Sequence, residues 1–346
     1  MEQSLTQIID ENTRRNRLLT APYDQLSGTG CCGRRVKAVS PGGEPVLVPQ
    51  SMLDDPDMEA ASRDERLWRL LRVRHDFEYW AATCVTVKDK LTGRDVKFML
   101  NRPQRRVVAL FEQQRCEGRP IRIIMLKARQ WGGSTLVQMY MAWIQCCRAR
   151  NWHSLICAHV KDVAATIRGI YTKMLDSYPG EFWDEEERPG FTAFERSINT
   201  RLIRGRDCRV TVASSERQES VRGADVAMAH LSEVAFWADT PSRTPEGFVR
   251  AICAGIARVP ESLVVLESTA NGVGNYFHSE WLRSKRGESD KAAVFVPWYE
   301  IDIYSVPVGD YGSLWMSLDT YERGLWERGC TLEQIAWYRE KRREYP

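Results

Sequence analysis

Several protein classes are excluded by what this chain lacks. None of its ten cysteines stands in a Cys-x-x-Cys pair, although Cys31-Cys32 and Cys146-Cys147 are vicinal, so neither a zinc ribbon nor a thioredoxin-like motif is expected. No signal-peptide pattern opens the sequence, and the thiols are expected to be reduced, cytosolic and in several cases core residues. The five histidines (His75, His153, His159, His230 and His278) show no metal-ligand spacing; His230 lies in an apolar run and reads as a core residue. The apolar stretch 136–147 is too short to span a bilayer and contains Gln138 and Gln145, so no membrane association is expected. A net charge of +3 permits transient contact with a polyanion but marks no dedicated nucleic-acid clamp.

What is present is ordinary for a globular protein: 346 residues, 43% hydrophobic and 27% charged, enough for one large core with appendages. Residues 1–60 read as a partly flexible arm, because chain breakers cluster at 28–33 and 40–43 and an acidic run follows at 54–57. The core with its lead-in is expected at 61–300, and 301–346 as a linker or subdomain. In the lead-in, the spacing of Trp68, Leu70, Leu71, Phe77 and Trp80 predicts one helix from Asp64 to about Thr83. A hairpin should follow, with strands at 85–87 and 96–100 around a turn at 91–93. From residue 101 strand and helix patterns alternate. Strands are predicted at 121–126, 154–158, 200–203, 209–213, 226–231, 263–266 and 294–297, and helices at 134–148, 162–178, 245–256 and 274–286. Such alternation predicts an α/β fold with a mostly parallel sheet covered on both faces, and ligands beyond the carboxyl ends of the strands. Residues 181–190 read as an acidic loop with no assignable chemistry.

The stretch Lys127-Ala128-Arg129-Gln130-Trp131-Gly132-Gly133-Ser134-Thr135 follows the first predicted core strand. An apolar strand, a glycine turn and a hydroxyl pair opening a helix form the layout of a phosphate-binding loop, where backbone N–H groups and the positive helix end converge on an anion. The familiar G-x-x-x-x-G-K-[ST] pattern is altered. Gly133 holds the lysine place and Lys127 that of the first glycine, so the cation comes from the other end of the loop. The alternative is a plain strand-to-helix turn with a solvated lysine.

Four further features fall in a consistent order. Asn101-Arg102-Pro103-Gln104 opens a helix ahead of the first core strand; the Gln104 amide offers the donor and acceptor that match an adenine edge, or it is simply a helix cap. The strand 226–231 ends in Ser232-Glu233, an acid placed to orient or deprotonate water, with serine where a metal-side aspartate would stand. Ser220-Val221-Arg222-Gly223 precedes that strand, and Arg222 is a candidate arginine finger, with Arg129 a second candidate in cis. Finally, Val264 to Leu266 run into Glu267-Ser268-Thr269-Ala270-Asn271-Gly272, two hydroxyls and a flexible turn suited to sensing phosphate loss. Trp131 and Trp237 read as packing groups near a nucleotide, Trp143 and Trp152 as core.

Taken in order over residues 65–346, these segments resemble the large subunit of tailed-phage terminases, the motor that packages DNA into a capsid. Arg102-Pro103-Gln104 looks like that family's adenine-recognising motif, and 127–135 like its variant phosphate loop (Walker A). His230-Leu231-Ser232-Glu233-Val234-Ala235-Phe236-Trp237 looks like its acid strand (Walker B), and Ser268-Thr269-Ala270-Asn271-Gly272 like its coupling motif. The resemblance implies a P-loop NTPase fold of the ASCE, RecA-like type, and ATP with Mg²⁺ as cofactors. It implies Lys127, Gln130, Trp131, Gly132, Gly133, Ser134 and Thr135 around the phosphates and Gln104 at the base. Ser134, Ser232 and Glu233 fall on the metal side. Glu233 with Arg222 or Arg129 would be catalytic, and Ser268, Thr269 and Ala270 would couple. Arg222 matches a finger that reaches into a neighbouring subunit of a homo-oligomeric ring.

The partners so implied are sequence-independent double-stranded DNA, a portal protein and a small terminase subunit, in the host cytoplasm on a procapsid. Family members continue into a nuclease domain, expected here in cis or as a separate chain, with no nuclease chemistry in these residues. Two departures stand out: Gly133 in the lysine place and Ser232 in the aspartate place. A helicase-like translocase, or a nucleotide-gated assembly protein with weak or no hydrolysis, would use the same core.

Overall fold

Apolar β-branched runs that are buried on both faces build the centre of a parallel sheet. The computed structural model describes residues 4–89, 92–159, 161–180, 190–194, 197–216 and 225–344. In chain order, helix α1 (Leu5–Leu19) precedes a hairpin, β1 (Val36–Val39) and β2 (Pro45–Val48), and the short helices α2 (Gln50–Leu53) and α3 (Met58–Ala61). Next come α4 (Glu65–His75), α5 (Phe77–Cys84), a hairpin of β3 (Thr86–Lys88) and β4 (Asp95–Lys97), and α6 (Arg102–Cys116). The core continues through β5 (Ile121–Lys127), α7 (Gly133–Trp143), β6 (Ser154–Ala158), α8 (Lys161–Asp176), β7 (Gly190–Phe194), β8 (Ser197–Arg204) and β9 (Cys208–Ser214). It closes with β10 (Met228–Ser232), α9 (Pro245–Ala254), β11 (Leu263–Ser268), α10 (Tyr276–Lys285) and β12 (Ala292–Val296). Helices α11 (Tyr311–Met316), α12 (Thr320–Glu327) and α13 (Leu332–Glu344) follow.

The main sheet has eight strands in the order β12-β5-β11-β10-β6-β9-β8-β7. From β12 to β9 every neighbouring pair is parallel, while β8 and β7 are antiparallel additions at one edge. This is the α/β architecture expected from the alternating pattern. Strand β7 is the exception, because it begins where the sequence reads as an acidic loop. Alternate residues of each strand feed different cores. Ile121, Ile123 and Met125 pack with Tyr140 and Trp143 of α7, Phe111 of α6 and Phe77 of α5. Ile124, Leu231, Val264 and Leu266 pack with Phe248 of α9 and Phe277 of α10. Within the described residues no helix is long and apolar enough to cross a membrane.

The expected single helix over residues 64–83 is two helices, α4 and α5, broken at Asp76. That side chain is fully buried, accepts a hydrogen bond from the Tyr79 N–H at 3.2 Å and receives both arms of Arg35 at 2.6 and 2.9 Å. Burial raises its pKa, but the Arg35 guanidinium more than reverses this and holds the carboxyl below its usual range. Arg35 comes from the segment read as a flexible arm, and that segment is anchored elsewhere too. Ile8 of α1 is buried among Leu325, Trp326, Leu332 and Ile335 of the C-terminal helices. Asn12 Oδ1 accepts from the Leu332 N–H at 2.7 Å, and Arg15 donates to the carbonyls of Trp326 and Cys330 at 2.6 and 2.9 Å.

Candidate active site

Three adjacent parallel strands, β5, β11 and β10, end together, and their last residues bring the polar groups of the site to one point. Ser268 lies in register with Leu126 of β5, and Glu267 with both Met125 of β5 and Ser232 of β10. Lys127 closes β5, and the chain then bends sharply: Gln130 has φ of 62° and Gly132 of 78°. Positive φ at Gly132 is the left-handed region that glycine enters readily. A Cβ there would stand 2.6 Å from Gln104 Nε2, and one on Gly133 only 2.4 Å from the Trp131 ring. The indole, buried at 3% exposure, therefore occupies the space that a side chain at position 133 would need. Gly132 is the N-cap of α7, and no described side chain caps that helix. Its first-turn N–H groups, around Ser134 and Thr135 (both half-buried), are those an anion would accept from.

The loop is braced from behind by the start of α6. Gln104 Oε1 accepts from the Asn101 N–H at 2.9 Å, and its Nε2 donates to the carbonyls of Trp131 and Gly132 at 3.2 and 3.1 Å. Asn101 Nδ2 adds a bond to the Trp131 carbonyl at 3.0 Å. The amide that the sequence aims at adenine is thus buried and engaged with the loop, as helix cap and loop clamp together. On the outer side Arg129 and Gln130 are exposed, and the Arg129 carbonyl accepts from the Tyr304 hydroxyl. Tyr304 stacks on Trp337 of α13 with centroids 4.7 Å apart, so the C-terminal helices reach the loop that follows β5.

The charged centre has one cation and two acids. Lys127 Nζ donates to Glu233 Oε1 at 2.8 Å and lies 3.8 Å from Glu267 Oε2. Burial lowers the lysine pKa, but Glu267 and Glu233 outweigh it and raise the value, so the ammonium stays charged. Glu233 sits just past the end of β10 with φ of 55°, a strained backbone that costs on the order of 1–3 kcal/mol and persists where surroundings enforce it. Its Oε2 accepts from the Thr269 N–H at 3.2 Å and from the hydroxyls of Ser268 and Thr269 at 3.3 and 3.4 Å. Ser268 Oγ in turn accepts from the Ala235 N–H at 3.2 Å. Ala270 is exposed and opens the turn that follows.

Glu267 is the residue that sequence reasoning passed over. It is fully buried; its Oε1 accepts from Ser134 Oγ at 2.5 Å and from Ser232 Oγ at 3.0 Å. His230 Nε2 lies 3.1 Å away without the alignment of a hydrogen bond, a close electrostatic contact inside the strand core. Burial pushes the Glu267 carboxyl up, but Lys127, His230 and the Ser134 hydroxyl together lower it to about 2. Its Oε2 has no hydrogen-bond partner among the described residues. The signal for it was a charge inside a buried strand, which needs a purpose or a partner. Trp237, by contrast, packs on Phe248 with centroids 5.5 Å apart and donates to the Ser232 carbonyl at 3.0 Å. The segment 217–224, and with it Arg222, lies outside the described residues.

No protein-family model matches the chain, and no curated protein matches it by sequence. Among solved structures it is similar to the HK97 bacteriophage large terminase, with TM-score 0.50 and 16% identity over 70% of this chain and 45% of that one. It also matches the Thermus phage P74-26 large terminase ATPase domain (TM-score 0.37, 14% identity, 58% of this chain and 84% of that one). A third match is the large terminase of another thermophilic bacteriophage (TM-score 0.38, 12% identity, 66% and 49%). The chain therefore spans less than half the length of the HK97 protein. In fold, an α/β arrangement with a mostly parallel sheet flanked by helices, this chain is similar to the HK97 bacteriophage large terminase.

Proposed function

We propose that this chain is the ATP-hydrolysing motor portion of a phage terminase large subunit, moving double-stranded DNA into a procapsid in the host cytoplasm. The observation that supports the reading is the contact of Lys127 with Glu233 at 2.8 Å, beside the start of α7, which no described side chain caps. In this reading Lys127 and the N–H groups of residues 130–135 hold the β- and γ-phosphates. Ser134, Ser232 and Glu233 present oxygen donors, the ligand type Mg²⁺ takes. Among the described residues no group of three or more His, Cys, Asp or Glu could hold an ion alone. The ion would therefore share its ligands with phosphate and water, and when bound it neutralises charge on the phosphate oxygens.

Glu233 performs the proton work. While Lys127 donates to its Oε1, that oxygen is occupied; phosphates that draw the ammonium away free it to accept a proton from water. The water oxygen then attacks the γ-phosphorus and ADP leaves with the bridging oxygen. Arg222 of a neighbouring subunit, or Arg129 in cis, stabilises the charge that develops. Ser268, Thr269 and Ala270 carry the outcome onward, since the first two hold Glu233 Oε2. DNA is gripped through its phosphates, without regard to sequence. Portal protein, small subunit and a nuclease domain, in cis or on another chain, complete the assembly.

The test is ATPase rate per protomer against protein concentration, with and without linear duplex DNA. A rate that climbs steeply with concentration and with DNA is the expected result. No hydrolysis at any concentration, even with portal and partner subunits added, would favour a nucleotide-gated assembly protein, the reading that Ser232 in the aspartate place supports.

A further inference from the structure

We infer that Glu267, on the strand next to the expected one, is the carboxylate that serves the metal side of the nucleotide site in place of the aspartate missing at Ser232. The inference rests on the ATPase reading above and assigns a residue that reading leaves unused. Ser232 and Glu267 are direct register partners on adjacent parallel strands, so the acid lies at the same depth, one strand over. Its Oε1 gathers two hydroxyls, Ser134 at 2.5 Å and Ser232 at 3.0 Å. One is the loop hydroxyl that P-loop sites turn towards the ion, and the other marks the vacated acid position. Its Oε2, wholly buried, has no hydrogen-bond partner among the described residues. A buried carboxylate oxygen with open lone pairs, between hydroxyl oxygens and a phosphate-binding loop, is a hard-cation ligand in donor type and place.

The plainer account makes Glu267 a buried counter-ion for Lys127. Geometry argues against it. Lys127 makes its hydrogen bond to Glu233 at 2.8 Å and stands 3.8 Å from Glu267. Lys127 is close enough to help keep Glu267 charged, yet that pairing leaves Oε2 without a hydrogen bond among the described residues. Charge argues the same way. Lys127, Glu233 and Glu267 sum to one net negative charge, and a triphosphate brought among them would be repelled unless a cation came with it. Glu267 also immediately precedes Ser268 and Thr269, which hold Glu233. The metal-side acid and the water-orienting acid are therefore joined through consecutive residues at the end of β11 and just past it.

The test compares wild type, Glu267→Gln and Glu267→Gln/Ser232→Asp. Two quantities are read: ATP affinity without divalent metal, and Mn²⁺ affinity of the ADP complex by electron paramagnetic resonance, with thermal melts to establish folding. Glu267→Gln should keep metal-free ATP binding and lose about 10- to 100-fold in Mn²⁺ affinity, the range for removing a group that supports a metal site. Returning an acid at position 232 should recover most of that loss. Unchanged Mn²⁺ affinity in Glu267→Gln overturns the inference and leaves the ATPase reading standing. Wild type that binds no nucleotide overturns both. If Glu267→Gln does not fold, Glu267→Asp, with the acid drawn back by one methylene, is read the same way: lowered Mn²⁺ affinity supports the assignment and unchanged affinity refutes it.

Discussion

Strand β10 ends at Ser232 with Glu233 just beyond it, whereas β11 ends in the same two residue types in opposite order, Glu267-Ser268. That inversion gives two glutamates very different surroundings. Glu267 is still inside the ladder, where its side chain is 0% exposed and fixed between strands. Glu233 is one residue beyond its strand, 30% exposed at the side chain and on a strained left-handed backbone. A position inside a parallel sheet buries the carboxylate completely, whereas a position just past the end leaves it partly exposed between a lysine and two hydroxyls. One step of register separates the two behaviours.

Replacing each acid breaks this contrast most directly. Glu267→Ala leaves Lys127 and the two hydroxyls facing a buried void, and should destabilise the fold by about 3–5 kcal/mol, the usual cost of removing one partner from a buried charged cluster. Glu233→Gly should shift stability by no more than about 1 kcal/mol, because relief of the positive φ offsets a partly exposed ion pair. Denaturant unfolding of both variants measures the difference, and equal losses would erase the distinction.

Acidity sharpens the same comparison. The Glu267 pKa is depressed in the folded chain, from 4.5 to about 2, so its ionised form adds stability above the ordinary value and loses it as pH falls through the depressed one. Wild type should therefore lose more stability than Glu267→Gln between about pH 4.5 and pH 2, the window those two values set. Unfolding midpoints across that range check it.

Smaller effects belong to the loop. Gly133→Ala pushes a Cβ into the Trp131 ring and should cost about 1–3 kcal/mol, the range for overpacking, with part recovered when Trp131→Ala is added. Tyr304→Phe removes only the bond to the Arg129 carbonyl and should cost about 0.5–1.5 kcal/mol. Melting curves of the two variants put them in order.

Much of the sheet was legible because strands buried on both faces are nearly continuous apolar runs: 154–158 is β6 itself, and 121–126 and 263–266 fall within β5 and β11. What escaped depended on partners distant in sequence. The break at Asp76 needs Arg35, 41 residues away, and α1 is held by Asn12 and Arg15 to residues more than 300 positions on. The clustered chain breakers in 1–60 read as flexibility only while those anchors are unknown. Strand β7 was hidden by the acidic stretch before it. At the site, local spacing pointed to the glycine turn between β5 and α7, to Ser268 and Thr269 and to the cap at Gln104. It did not point to Glu267, whose importance comes from the register that sets it beside Ser232 on another strand.

The central claim is that Lys127 and Glu233 flank one triphosphate and that Glu233 does the proton transfer. The most direct measurement sets ATP turnover beside ATP affinity for Glu233→Gln and wild type under conditions where wild type hydrolyses. Turnover should fall by about 10²- to 10⁴-fold, the range for losing a general base, with ATP affinity unchanged. A glutamine variant that hydrolyses ATP at the wild-type rate would contradict the account.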